Sequence, residues 1–213
     1  QKHLILTTHP TPMKTLTSSA IILGHKNFGE SDKIIFLYTE ELGKLKTIAK
    51  GSRRINSKFT GHLETLNFCQ ASFYFGPKNI ILTEIITLKN FKKIRDNVEK
   101  ITTALKIAEF TNKMIYENQK VEGLAELISK TLTQLCISNK TQLILHSYMI
   151  KLLDKIGMIP DFQTIISSID QKYLKYLNFI QHQPISTIEN ISMDKNEQKI
   201  IDQLLEKLVS YSI

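Results

Sequence analysis

The sequence predicts an α+β protein in which a small five-stranded β-barrel precedes an α-helical bundle. Two observations support this prediction. Short β-rich runs broken by turn residues fill residues 15–91, and apolar residues at helical spacing dominate from residue 96 onward. With 213 residues, of which 42% are hydrophobic, the chain is long enough to bury a core in each part.

The predicted strands are short segments rich in β-branched and aromatic residues. They are SSAIILGHKN (18–27), DKIIFLYT (32–39), GKLKTIAKG (43–51), NFCQASFYFG (67–76) and NIILTEIITL (79–88). So many short strands in one segment favour a barrel over a parallel sheet. The long polar link, residues 52–66, falls between the third and fourth strands, where an OB-fold often carries an extra helix or excursion.

Apolar stripes predict helices in the second half of the chain. The stripe of the first helix is Val98, Ile101, Leu105, Ala108, Met114 and Ile115, and that of the last helix is Ile200, Ile201, Leu204, Leu205 and Leu208. We expect Gly157 and Pro160 to end the third helix and Asp194 to cap the last one. The predicted organisation is an extension or cloning remnant at 1–12, a barrel domain at 13–91 and a helical domain at 92–213.

The charge of the chain is concentrated in its first half. The formal net charge is +8; residues 1–95 hold 15 Lys and Arg against 6 Asp and Glu, whereas residues 96–213 hold 13 against 14. Such polarisation is typical of a module that binds a polyanion, although a basic surface without a partner would show it too.

One segment, KLKTIAKGSRRINSKF (44–59), holds six basic side chains and no acid. If its first part is a strand, alternation places Lys44, Lys46 and Lys50 on one face. The turn that follows carries Arg53, Arg54 and Lys58, whose charges suit phosphate oxygens. The alternative is a solvated strand edge, where lysines deter aggregation. The predicted nucleic-acid contacts are Lys44, Lys46, Lys50, Arg53, Arg54 and Lys58, extended by Lys92, Lys93 and Arg95 beside Lys89.

Binding of single strands usually adds aromatic side chains on which bases stack. Three candidates are Phe59 in the polar link and Phe68 and Tyr74 in the fourth strand. For Phe68 and Tyr74 the alternative is packing under the helical domain, and for Phe59 it is a role as a core anchor.

No catalytic or metal-binding pattern emerges. Residues 24–31, GHKNFGES, have the spacing of a phosphate-binding loop but carry Glu30 in place of its lysine, so we expect a turn between strands. The histidines lack metal-ligand spacing, and Cys69 and Cys136 are interpreted as buried thiols. We therefore predict no enzyme, cofactor or metal. No apolar run is long enough to span a membrane, which favours a cytoplasmic protein.

Residues 20–85, AIILGHKNFGESDKIIFLYTEELGKLKTIAKGSRRINSKFTGHLETLNFCQASFYFGPKNIILTEI, resemble the N-terminal domain of the RecO family of bacterial DNA repair and recombination mediators. The matching elements are the turn at 29–32, the turn at 39–43, and AKGSRR (49–54) followed by SKF (57–59). The resemblance places the family's DNA-contacting positions on Lys50, Arg53, Arg54 and Lys58, whereas Lys44 and Lys46 come from the alternation alone.

The resemblance implies an OB-fold, a helical domain and association with the nucleoid. It also implies binding to single- and double-stranded DNA and annealing of complementary strands. Together with RecR, such a protein loads RecA onto DNA coated with single-stranded-DNA-binding protein (SSB), whose acidic, apolar C-terminal tail would occupy a pocket of the helical domain.

The sequence departs from the family pattern at one place. Many members hold a four-cysteine zinc hairpin after the third long helix, but residues 161–183 contain no cysteine, and we regard about 161–192 as a degenerate, zinc-less segment. Packing is expected to replace the metal, through Phe162, Tyr173, Leu174, Leu177 and Phe179. Two other functions fit the barrel: an OB-fold RNA-binding protein of translation or RNA processing, and an enzyme with a fused nucleic-acid domain.

Overall fold

The computed structural model describes residues 15–159 and 170–211, so the predicted extension at 1–12 lies outside it. The first half is a closed barrel of β1 (Thr15–Phe28), β2 (Asp32–Thr39), β3 (Gly43–Ala49), β4 (Phe68–Phe75) and β5 (Ile80–Lys89). The strands follow the order β1-β2-β3-β5-β4, with β3 and β5 parallel and the other pairs antiparallel. This closed five-stranded arrangement is an OB-fold. The predicted fold class and all five predicted strands are confirmed.

The long first strand, β1, pairs with two other strands. Its first half, from Thr15 to Ile21, pairs with β4, and its second half, from Ala20 to Phe28, pairs with β2. A register shift between Ile22 and Gly24 marks the point where the strand bends around the barrel. β1 and β2 form a hairpin, and residues 29–31 make the turn between them. The segment GHKNFGES is therefore the end of a strand and a turn, as expected, and not a phosphate-binding loop.

The barrel interior is apolar, and the connection between β3 and β4 helps to fill it. The core consists of Ala20, Ile22, Ile35, Leu37, Leu45, Ala49, Phe59, Leu63, Cys69, Ala71, Phe73, Leu82 and Ile85. Phe59 and Leu63 come from the predicted polar link, which has no regular secondary structure. Their burial ties this long connection to the barrel.

The second half is helical. It contains α1 (Lys92–Arg95), α2 (Val98–Met114), α3 (Leu124–Ile137), α4 (Thr141–Lys155), α5 (Gln171–His182), a 3₁₀-helix (Ile185–Asn190) and α6 (Lys195–Tyr211). Gly157, with φ of +70°, donates to the Asp154 carbonyl where α4 ends. Asp194 accepts from the Glu197 amide at 2.8 Å and Glu197 bonds back to the Asp194 amide at 2.9 Å, which is a capping box. Both predicted helix boundaries are confirmed, and Pro160 lies outside the described residues.

The predicted apolar stripe of α2 is wrong in part. Val98 is 82% exposed and Leu105 is also exposed, whereas Ala108, Met114 and Ile115 are buried as expected. The buried face follows Thr103, Ala104, Ile107, Ala108, Thr111 and Met114. These positions recur at three- and four-residue intervals, and Val98 and Leu105 lie off that face.

The barrel and the helices share one core. Ile21, Leu23 and Tyr38 of the barrel pack in the same cluster as the helical residues. The Tyr38 hydroxyl donates to the Val121 carbonyl at 2.9 Å and accepts from the Val121 amide at 2.8 Å. A Cβ at Gly43 would lie 2.0 Å from the Gln119 carbonyl oxygen, so only glycine fits there. The start of β3 is therefore covered by the chain between α2 and α3.

The segment expected to lack zinc is partly outside the described residues. Of its predicted packing residues, Leu177 is buried, Tyr173 and Leu174 are half-buried, and Phe179 is exposed because it lies off the face formed by Tyr176, Leu177 and Ile180. Phe162 is not described. Within residues 15–159 and 170–211, no group of three or more His, Cys, Asp or Glu is placed to hold a metal ion.

Two further expectations concern the thiols and the membrane. Cys69 is buried, and burial raises the pKa of its thiol to about 11, but Cys136 is only half-buried, so the prediction of two buried thiols holds for Cys69 alone. In the part of the chain that the structure describes, every helix is too short or too polar to cross a bilayer.

Candidate nucleic-acid interface

Five of the predicted contact residues are exposed on β3 and in the connection that follows it. They are Lys46, Lys50, Arg53, Arg54 and Lys58. We call these five residues the basic surface. No acidic residue lies between Lys46 and Lys58 in the sequence, so the segment itself carries only positive charge.

The turn within the basic surface is tied to the β1–β2 hairpin. The Asp32 carboxylate accepts from the Gly51 amide at 2.7 Å. The Arg53 amide donates to the Ser31 carbonyl at 2.9 Å, and the Arg53 guanidinium to the Gly29 carbonyl at 3.1 Å. Sequence reasoning assigned no role to Asp32, although its place in the shared turn motif was a signal. These bonds fix the turn before any ligand arrives, which reduces the entropy lost on binding.

A further basic residue, Lys26, was missed in the sequence. It is exposed on the outer face of β1, and its ammonium lies 5.8 Å from the ring centroid of Phe36. Phe36 pairs with Lys46 in the neighbouring strand, so Lys26 extends the basic surface across the barrel. Strand alternation places Lys26 on the same face as Gly24 and Phe28, and this pattern would have found it.

Lys44 does not belong to the basic surface, and its prediction as a nucleic-acid contact is corrected. Its side chain is 8% exposed, and its ammonium donates to the carbonyls of Asn112 and Ile115, the latter at 2.8 Å. Burial lowers the pKa of Lys44, while the nearby Glu117 acts in the opposite direction. Because the two carbonyls lie at the end of α2, Lys44 joins the barrel to the helices.

The aromatic candidates for base stacking are mostly engaged in packing. Phe59 is 4% exposed in the barrel core, so it is an anchor, and its prediction as a stacking residue is corrected. Phe68 is half-buried against the helical core, which matches the alternative of packing under the neighbouring domain. Tyr74 is half-buried on β4 and remains a candidate.

The basic residues around residue 91 divide into two groups. The Arg95 guanidinium donates to the carbonyls of Asn90 and Thr65 and to the Asn67 side chain, each at 2.9 Å. Lys89 donates to the Thr133 hydroxyl of α3 at 3.1 Å. Arg95 is therefore half-buried and held within the junction, and its role as a nucleic-acid contact stays a prediction.

Lys92 and Lys93 are exposed on the short helix α1. They remain candidates for extending the interface beyond the barrel.

The helical half contains a groove of a different character. It lies between α2, α4 and α6, has a volume of about 380 Å³, and is lined by Lys106, Glu109, Phe110, Lys113, Gln142, Leu145, Met149, Asp202, Leu205 and Glu206. Apolar side chains thus stand beside two lysines, and three carboxylates share the lining. Such a groove suits a short peptide better than an extended nucleic acid.

The structure thus defines a class: an OB-fold barrel with an exposed basic surface, followed by a helical domain. Two family models match the chain, "Recombination protein O N terminal" over residues 13–88 and "Recombination protein O C terminal" over residues 95–168. The chain belongs to the RecO family of DNA repair proteins.

Curated relatives agree with the family models. The chain is 30% identical over 167 residues to the DNA repair protein RecO of Thermoanaerobacter sp. (strain X514), a match that covers 78% of this chain and 67% of the relative. It is 32% identical over 148 residues to that of Syntrophobacter fumaroxidans, covering 70% and 59%, and 27% identical over 170 residues to that of Acetivibrio thermocellus, covering 78% and 68%. The chain therefore spans about three fifths to two thirds of the length of these relatives.

Proposed function

We propose that this protein is a DNA-binding recombination mediator of RecO type. It binds single- and double-stranded DNA through the basic surface and promotes annealing of complementary strands. The observation that carries this proposal is the basic surface itself, with five exposed cations on β3 and the connection that follows it, and a turn held in place by Asp32. Contacts to phosphates carry no base information, so binding is expected to be insensitive to sequence.

Annealing follows from neutralisation of the DNA backbone. Two complementary strands repel each other through their phosphates, and bound cations displace the counterion atmosphere of each strand. A protein that holds phosphates without reading bases leaves the Watson–Crick edges free to pair. The basic surface, with Lys26 as a further exposed lysine on β1, is suited to this task because its cationic side chains are exposed to solvent.

The helical half is proposed to serve protein partners. The groove between α2, α4 and α6 places Lys106 and Lys113 beside the apolar side chains of Phe110 and Met149. The apolar side chains suit the apolar residues of the C-terminal tail of SSB, which we propose to bind in the helical half, whereas Glu109, Asp202 and Glu206 of the same lining would oppose its acidic residues. RecR is proposed to act with the chain on SSB-coated DNA, so that RecA is loaded indirectly. In this function the protein works on the nucleoid.

An OB-fold protein that binds RNA is the alternative. The proposed function predicts that single-stranded DNA competes for the protein at least as well as RNA of equal length and sequence, because the phosphate contacts do not sense the 2′-hydroxyl. The measurement is a fluorescence competition assay with one labelled DNA strand and either unlabelled competitor. A marked preference for RNA would favour the alternative.

An enzyme with a fused nucleic-acid domain has weaker support. The helical half does contain a histidine–carboxylate pair, since His146 lies 2.7 Å from the Asp202 carboxylate. His146 is fully buried between Asp202 and Tyr176, where it links α4 to α5 and α6. A ring enclosed in this way suits a packing role better than attack on a substrate.

A further inference from the structure

Two large apolar side chains are exposed beside the basic surface. Ile55 is 98% exposed and lies between Arg54 and Lys58, and Phe28 is 47% exposed at the end of β1. A single exposed apolar side chain is ordinary on a protein surface. Phe28 and Ile55, however, lie on segments that are joined to each other, and Ile55 lies among the cations of the basic surface in the sequence.

The segments that carry Phe28 and Ile55 are held together. Phe28 pairs with Asp32 across the hairpin, and the Asp32 carboxylate accepts from the Gly51 amide at 2.7 Å. Arg53, two residues before Ile55, donates twice to the same hairpin. Phe28 and Ile55 therefore lie on two segments that these hydrogen bonds join.

The loop around Ile55 is fixed on both sides. The Arg54 amide bonds to the Gly51 carbonyl at 3.2 Å, and the Ser57 amide to the Arg54 carbonyl at 3.0 Å. Phe59 then anchors the chain in the barrel core. Because of these anchors, Ile55 is presented at the tip of the loop and does not turn inward to the core.

We propose that Phe28 and Ile55 form the base-contacting element of this interface. When the basic surface holds the phosphates of a single strand, its unpaired bases lie beside these two side chains; Phe28 stacks on one base and Ile55 packs as a wedge against a neighbouring one. Base stacking on an aromatic ring is tolerant of sequence, and apolar wedges such as Ile are used to separate stacked bases. In a duplex the bases are already stacked on each other, so this element favours single strands. The inference rests on the proposed function.

The positive charge beside Phe28 and Ile55 favours a nucleic-acid strand over a protein partner. A protein partner docking on Ile55 would have to face Arg53, Arg54 and Lys58, which are exposed within three residues of it in the chain. A nucleic-acid strand supplies phosphates for those cations and apolar base faces for these side chains at the same time.

The test compares DNA with and without bases. The variants are Phe28→Ala, Ile55→Ser and their combination, and the probes are an oligothymidine and an abasic oligonucleotide of the same length, which keeps every phosphate. We expect the double variant to bind the oligothymidine about tenfold more weakly. Its affinity for the abasic strand and its salt dependence should equal those of the unsubstituted protein.

A matched control is Ile137→Ser, which removes a 69% exposed apolar side chain at the end of α3 and should change neither affinity. Ile55→Ser alone is safe for folding because the side chain makes almost no contact, and Phe28→Leu provides a milder change at the half-exposed position.

Two results would overturn the inference and are distinguishable from failure of the proposed function. If the variants bind the oligothymidine as tightly as the unsubstituted protein, or lose affinity for both strands equally, Phe28 and Ile55 do not contact bases. If the unsubstituted protein binds neither strand, the proposed function fails, and this inference fails with it.

Discussion

Replacement of Arg53 and Arg54 together with Ala is expected to weaken binding to unrelated oligonucleotides by about the same factor. Both side chains are exposed on the basic surface, and the contacts proposed for them are to phosphates, which carry no base information. Each lost phosphate contact on a single strand should reduce the slope of log K against log salt by about 0.7, so the double variant should lose about 1.4. The measurement is a titration by fluorescence anisotropy at several salt concentrations.

The matched control removes the same charge elsewhere. Lys199 and Lys207 are exposed on α6, and their replacement with Ala changes the net charge of the protein equally. This control should leave the salt slope nearly unchanged. Equal slopes for Arg53→Ala/Arg54→Ala and the unsubstituted protein would remove the turn from the interface, and an equal loss in both variants would indicate an effect of total charge only.

Replacement of Lys44 with Ala is expected to destabilise the protein without removing a DNA contact. The change leaves the carbonyls of Asn112 and Ile115 without their donor and removes a packed aliphatic stem. The combined cost is about 2–4 kcal/mol. Urea denaturation followed by circular dichroism measures this cost.

Lys46→Ala is a control on the same strand and the same face. Lys46 is exposed, so this change should alter the free energy of unfolding by less than about 0.5 kcal/mol but weaken DNA binding. Lys44→Ala, measured well below its melting temperature, should bind DNA as the unsubstituted protein does. Equal stability of the two variants would mean that the Lys44 ammonium does not hold the barrel to the helices.

The strands were predictable because their pattern is local. Strand alternation and turn residues such as Gly29 depend only on residues that are close together in the chain. Five short strands in succession were therefore enough to predict a barrel. Helix ends were predictable for the same reason, since Asp194 and Gly157 act on the backbone of their own turn. The basic turn was found because its charge is continuous in the sequence.

The errors arose where distant parts of the chain meet. Alternation correctly placed Lys44 and Lys46 on one face of β3, but it contains no information about the α2–α3 connection that covers Lys44. Phe59 lies in a polar segment of the sequence, yet its side chain is buried in the barrel core.

The exposed base-contacting element was missed for a related reason. From the sequence, Phe68 and Tyr74 of β4 are the stacking candidates because they lie in a predicted strand of the barrel. The structure shows Phe68 packed against the helical core, while Phe28 and Ile55 lie exposed on segments joined through Asp32 and Arg53. Exposure of this kind depends on which surfaces the helical half covers.

The central proposal, that this chain is a mediator that anneals DNA through its basic surface, is tested most directly by strand annealing. Two complementary DNA strands are coated with the cognate SSB, and duplex formation is followed with and without the protein and with and without RecR. We predict that the protein accelerates annealing above the spontaneous rate and that Arg53→Ala/Arg54→Ala accelerates it much less. Annealing at the spontaneous rate under all these conditions, by a protein that is folded, would contradict the account.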